Sequence, residues 1–342
     1  MRYVVKCKNE NLFIWGKCKK EGGRRLANPM VSPGSTALTR PKPSWLSYVR
    51  RHYMLYLFLA PAVVLTFIFK YVPMYGAIIA FKDFSPRRGI MGSAWVGLEH
   101  FQRFLSSPNF YDILLNTLKL SAYGLILGFP VPIVLALMLN LIRGAKLKKN
   151  IQLILYAPNF ISVVVVTGML FVFLSPTGVV NALVTAFTGK PVSFMTDPAY
   201  FRSVYILSGI WQTAGWSSII YVATLANVDP QLHDAATMDG ASLLKRVRHI
   251  DLPALKPVMA VLFILAAGGI MSIGYEKAYL MQTALNTPAS EIIPTYVYKV
   301  GLQAGDYAYS TAIGLFNSVI NVILLVFVNT VVKRLNEGEG LY

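Results

Sequence analysis

Long apolar runs along the chain are separated by short stretches that are polar, basic or rich in turn-forming residues. A bilayer core about 30 Å thick takes about 20 mostly apolar residues in a helix. Six runs reach that length: from Tyr53 into the region around Tyr71 to Phe81, Ile113 to Asn140, Ile151 to Leu174, Ser203 to Val228, Val258 to Leu280 and Ser310 to Val332. The pattern therefore predicts an all-α membrane protein with six transmembrane helices. Pro61, Pro73, Pro130, Pro132 and Pro158 fall within the runs and predict kinks, which membrane helices tolerate because neighbouring helices and Ser/Thr side chains satisfy the freed carbonyls. After the first run, Leu98, Phe101 and Phe104 recur at helical spacing and predict a short interfacial helix.

Charge gives these runs a direction. With the N-terminus inside, the segments on the inner side hold 22 Lys and Arg: twelve before residue 53, then Arg143, Lys146, Lys148 and Lys149, then Lys245, Arg246, Arg248 and Lys256, then Lys333 and Arg334. The outer segments hold seven: Lys82, Arg87, Arg88, Arg103, Lys190, Arg202 and Lys299. An excess of this size on short loops orients both termini inward. It also changes the reading of the formal net charge of +17, because nucleic-acid binding needs a folded basic face or stacking aromatics. Nucleic acid is not an expected partner; membrane lipid is.

The chain has 342 residues, 55% of them hydrophobic and 14% charged, a balance outside the range of soluble domains. Residues 1–52 read as a basic, disordered cytoplasmic extension, with a Pro/Ser/Gly/Thr-rich stretch from Pro29 to Pro43 that has too little apolar surface to offset ordering. No apolar core with a small-residue cleavage site precedes Tyr53, so this extension does not read as a secretory signal. Its two cysteines, Cys7 and Cys18, match neither zinc-ligand nor CxxC spacing and are expected to be reduced and idle.

Between the fourth and fifth runs lies a segment with legible local chemistry, residues 229–257. Asp229-Pro230 is a helix start, an oxygen able to cap free N–H groups followed by a ring that pre-sets the first turn. Gln231 to Met238 reads as one short helix, Gly240 as a reversal in left-handed backbone, and Ala241 to Ile250 as a second helix ending before Pro253. The sequence here runs Asp234-Ala235-Ala236-Thr237-Met238-Asp239-Gly240-Ala241 and later Ile250-Asp251-Leu252-Pro253.

This block resembles the signature of type I ABC importer permeases: Glu-Ala-Ala, three residues, Gly, nine residues, then Ile-x-Leu-Pro. Asp234 stands where Glu is usual, keeping the charge with a reach one methylene shorter. The resemblance implies a MetI-like fold, N-in and C-in, with residues 53–335 as the permease domain and 336–342 as a short cytoplasmic tail. It implies that Asp234, Ala235, Ala236, Asp239, Gly240, Ala241, Ile250, Leu252 and Pro253 form a coupling segment that docks on an ATPase. The partners it implies are a second homologous permease, two ABC ATPase subunits, an external solute-binding protein and a sugar or oligosaccharide cargo. Further marks, including Tyr71-Val72-Pro73-Met74-Tyr75-Gly76, Val96-Gly97-Leu98-Glu99-His100-Phe101 and Pro158-Asn159-Phe160-Ile161-Ser162, are similar to the branch that imports oligosaccharide and polysaccharide fragments, and most of all to permeases of alginate-oligosaccharide importers. The implied place is the bacterial inner membrane.

No G-x-x-x-x-G-K-[ST] stretch occurs in the sequence, so ATP and Mg²⁺ are expected on the partner ATPase and no cofactor on this chain. His52, His100, His233 and His249 lack metal-ligand spacing, and no nucleophile elbow or paired membrane carboxylates occur, which argues against an enzyme and against a metal site. Polar residues within the runs are candidates for a cargo path, since exposing them to lipid is costly. Asn116, Asn159, Trp211, Gln212, Trp216, Tyr275, Glu276 and Gln282 combine the planar hydrogen-bonding groups and aromatic faces that hold sugars. Each can also be read as an interhelical bond or an interface anchor, and Glu276-Lys277 as simply solvated. A rival reading is a secondary transporter driven by an ion gradient; such folds place ionisable groups at mid-membrane, where this chain has few. A scaffold without transport activity is a third.

Overall fold

The computed structural model describes residues 49–335 other than Ser272; the readings of Cys7, Cys18 and the rest of residues 1–48, and of the tail 336–342, lie outside the described residues. The chain divides after Val63 into two units. Of the first, the described part is helical at residues 49–51 and again from Tyr53. Among the described residues four helices are long and apolar enough to cross a membrane: α1, Tyr53–Phe81; α3, Phe110–Leu141; α9, Leu243–Gly268; and α12, Tyr307–Arg334. A fifth candidate is the pair α4, Ala145–Phe160, and α5, Val163–Phe173, bent by 97°. The bend follows Pro158, which ends regular hydrogen bonding in a 3₁₀ turn, Ala157–Phe160.

Shorter helices join these: α2, Glu99–Leu105; α6, Val179–Thr188; α8, Pro230–Met238; α10, Tyr275–Met281; and α11, Ile293–Tyr298. Two residues of strand on each side, Lys82–Asp83 and Ala94–Trp95, pair antiparallel ahead of α2. That helix is the one its Leu98-Phe101-Phe104 spacing predicts, and Phe104 is its buried residue.

Three of the sequence expectations shift. The fourth run is helix α7, Pro198–Ala226, 29 residues long, yet too polar to count as a span by composition. Ser208, Gln212 and Ser218 on α7 are buried, so these three polar side chains are shielded by neighbouring helices, while Ser203, Thr213 and Ser217 are exposed. Its approach to α4 is close enough that a Cβ at Gly215 would overlap the Leu155 carbonyl. The fifth run, expected over Val258 to Leu280, begins earlier and ends earlier: α9 starts at Leu243 and stops at Gly268, and residues 269–271, 273 and 274 are not helical before α10. The expected stop before Pro253 does not occur. A wide turn at Val247–Asp251, in which Leu252 N–H donates to the Val247 carbonyl, shifts the bonding register so that Pro253, which has no N–H to give, passes without breaking the helix.

Three apolar clusters hold the second unit. Phe104, Phe110, Ile113, Met271, Ile293, Tyr309 and Ile313 form one; Leu120, Met195, Phe201, Ile206, Ala278, Met281 and Ile292 the second; Ile133, Ala136, Tyr221, Leu225 and Leu255 the third, beside α8 and the start of α9. The α10–α11 connection is locked by Asn286, which is wholly buried. Its amide nitrogen donates to the Met195 carbonyl at 2.8 Å and the Met281 carbonyl at 3.0 Å, and its oxygen accepts from Thr283 N–H and the Ser290 hydroxyl, each at 2.9 Å. Asn286→Leu should strand these groups without partners and cost on the order of 2–4 kcal/mol. The check is a clearly lower unfolding temperature of the detergent-solubilised protein.

Candidate functional site

Two features stand out in the second unit: the α7–α9 connection and a cleft between α3, α7 and α10. In the connection, Asp229 caps α8, its carboxylate accepting from Gln231 N–H at 2.9 Å. The far end of α8 closes as a Schellman turn: Gly240 has φ of 70°, Ala241 N–H donates to the Ala236 carbonyl at 2.9 Å and Gly240 N–H to the Thr237 carbonyl at 3.0 Å. Arg246 on α9 reaches back to the Thr237 hydroxyl at 2.9 Å. The two helices therefore form one folded hook.

Asp251 anchors the hook. Its carboxylate is buried and lies 3.3 Å from His233 Nε2 on α8, and the same oxygen accepts from the Asn140 amide at the end of α3, also at 3.3 Å. One side chain thus ties three helices together. The tip stays uncovered: Met238 is 88% exposed and Leu244 75%, and Asp234, Ala235, Asp239 and Gly240 are exposed while Ala236, Ala241, Ile250 and Leu252 are half-buried. Pro253 is exposed at the start of the membrane-length part of α9. The nine residues singled out in the sequence are therefore brought together, but Asp251, His233 and Asn140 were not assigned to the site. The legible signal was an acidic residue inside the apolar Ile250-x-Leu252-Pro253 block.

The cleft has a volume of about 880 Å³. Along α7, Tyr205, Gly209, Thr213 and Trp216 lie on one face at spacings of three and four residues and line it, together with Ser121 on α3 and Glu276 and Lys277 on α10. Of the eight residues expected on a cargo path, Gln212, Trp216 and Glu276 line this cleft. Gln212 donates its amide to the Ile161 carbonyl at 2.9 Å, and Trp216 meets Phe160 edge-on at 5.5 Å.

The other five lie elsewhere. Asn116 is buried and binds the Pro288 carbonyl at 2.8 Å and the Arg202 guanidinium at 2.9 Å. Gln282 donates to the Ser290 carbonyl at 2.9 Å. Tyr275 stacks on Tyr298 at 5.4 Å and lines a separate pocket. Trp211 is half exposed, and Asn159 sits in the 3₁₀ turn before the α4–α5 bend. In-span polarity alone did not separate side chains that join helices from those that line the cleft, because both kinds avoid lipid for the same reason. Lys277, for which solvation was the alternative reading in the sequence, is buried.

Membrane-length helices, a cleft between α3, α7 and α10 and a capped helical hook are the features of a multi-pass helical membrane permease of the MetI-like fold. The chain belongs to the family of binding-protein-dependent transport system inner membrane components, whose model matches residues 128–337. It is similar to Protein LplB of Bacillus subtilis (strain 168), 43% identical over 300 residues that cover 87% of this chain and 94% of the relative. The polygalacturonan/rhamnogalacturonan transport system permease protein YteP of the same organism is 46% identical over 289 residues, covering 84% and 90%. Among solved structures, a chain of a bacterial ABC transporter involved in the import of the acidic polysaccharide alginate superposes with a TM-score of 0.77 at 37% identity, covering 84% of this chain and 98% of that one. A chain of a bacterial alginate ABC transporter in complex with an alginate pentasaccharide-bound periplasmic protein superposes at 0.79 with 36% identity, covering 87% and 99%.

Proposed function

We propose that this chain is the membrane permease subunit of an ABC importer for acidic oligosaccharides of the uronic-acid type, delivered by an external solute-binding protein. It pairs with a second permease, and two ATPase subunits carry ATP and Mg²⁺; the chain itself moves cargo and makes or breaks no covalent bond. Six spans cross the membrane with both termini inside: α1, α3, the α4–α5 pair, α7, α9 and α12. In that orientation the hook projects into the cytoplasm. Support for the cargo comes from relatives named for polygalacturonan and alginate transport.

The observation that carries the reading is the hook itself, rigid within and bare at its apolar tip. Met238 and Leu244 offer apolar contact and Asp234 and Asp239 offer charge for fixing register. Closure of the ATPase pair on the hook would be passed by Asp251 to α3 and by the unbroken α9 into the membrane bundle, the two end states being distinct packings that the motor contacts differently.

Cysteine cross-linking in intact membranes tests it. Ala236→Cys and Met238→Cys should each cross-link to an ATPase subunit, with efficiency that changes between nucleotide-free and ATP-trapped states. Cross-links to no ATPase from either position, at normal membrane levels, would overturn the proposal.

A further inference from the structure

Lys277 is 8% exposed, and it lines the same cleft as Trp216 and Gln212. Among the described residues its ammonium donates one hydrogen bond, to the Tyr205 carbonyl at 3.1 Å, sits 5.0 Å from the centre of the Tyr205 ring, and takes part in none of the ion pairs. An ammonium has three donors, and a buried charge is ordinarily paired. A cation held in a membrane protein without a counter-ion marks a ligand path. The surroundings leave it room: a Cβ on Gly209 would come within 3.4 Å of Nζ, so the absence of a side chain there keeps the ammonium open to the cleft.

From this geometry we infer that Lys277 is the residue that reads the carboxylate of an acidic sugar in transit, with Trp216 offering a face to the sugar ring. The inference rests on the proposed oligosaccharide function and adds to it a site that selects anionic over neutral cargo within the permease. A carboxylate supplies the missing counter-charge and a charge-assisted hydrogen bond, both stronger in an apolar cleft than in water. Glu276, which lines the cleft next in sequence but is exposed, repels a second anion and so favours release over trapping.

The test uses proteoliposomes holding the complete importer with its binding protein, and compares uptake of trigalacturonate with uptake of its fully methyl-esterified form. The binding protein is the same throughout, so a change in the acid-to-ester ratio between permease variants belongs to the permease. Lys277→Gln should lower the ratio roughly tenfold or more, while Lys277→Arg, which keeps the charge, retains most of it. The ratio is internal to each preparation, so partial loss of assembled complex does not move it. An unchanged ratio in Lys277→Gln, or an equal fall for both sugars, overturns the inference and makes Lys277 a support for the Tyr205 carbonyl only. An unmodified importer that carries only the ester overturns it together with the acidic cargo, while leaving an oligosaccharide importer standing; uptake of neither sugar overturns the proposed cargo altogether.

Discussion

Gly240→Val is expected to lower transport-linked ATP turnover roughly tenfold while the protein still reaches the membrane at normal levels. The backbone there has φ of 70°, which a β-branched residue adopts at a cost on the order of 1–3 kcal/mol. A Cβ at that position meets nothing within 4 Å, so the penalty is backbone strain and not a clash. Relief of that strain unwinds the Schellman turn and swings Ala241 and the start of α9 away from the end of α8. Gly240→Asn serves as the control, because Asn tolerates left-handed backbone and should keep most of the activity. Binding-protein-stimulated ATP hydrolysis in proteoliposomes is the measurement. Full stimulation in the valine variant would remove the turn from the coupling path.

Asp251→Leu should be more damaging. The buried carboxylate is held at 3.3 Å from both His233 and Asn140, and leaving these two groups without their acceptor costs about 2–4 kcal/mol. A loss of that size lowers the equilibrium constant for the held hook on the order of a hundredfold. Uptake should fall accordingly while nucleotide hydrolysis by the ATPase pair continues uncoupled from cargo. Asp251→Asn keeps an oxygen for the Asn140 amide but gives up the charge, so it should restore part of the uptake. The joint assay of uptake and hydrolysis on the same vesicles separates uncoupling from misfolding, since a misassembled complex loses both.

Both predictions concern a hook whose outline was already visible in the chain. Asp229-Pro230 and Gly240 are local signals, read by the backbone within a few residues, and the start of α8 and its closing turn lie where they indicate. The stop expected at Pro253 failed because a proline's effect depends on the hydrogen-bond register it meets. The wide turn at Val247–Asp251 changed that register, and nothing in the residue types alone announces such a turn.

Apolar run length was enough to point to a multi-pass helical membrane protein, since a bilayer forces each crossing to satisfy its backbone within one helix. The signature block was enough to point to the permease family, because cap, turn and small-residue spacing are short-range properties. Only the tertiary structure decided that α7 is a polar helix among other helices, that Asn116 and Gln282 fasten the bundle while Gln212 and Trp216 border the cleft, and that Asp251 and Lys277 are buried. Burial and partnership are made by residues far apart in the chain: His233 and Asn140 meet Asp251, and Tyr205 meets Lys277 across 72 positions. A linear pattern records each side chain's chemistry but not its neighbours, and it is the neighbours that turn a charge into an anchor or a site.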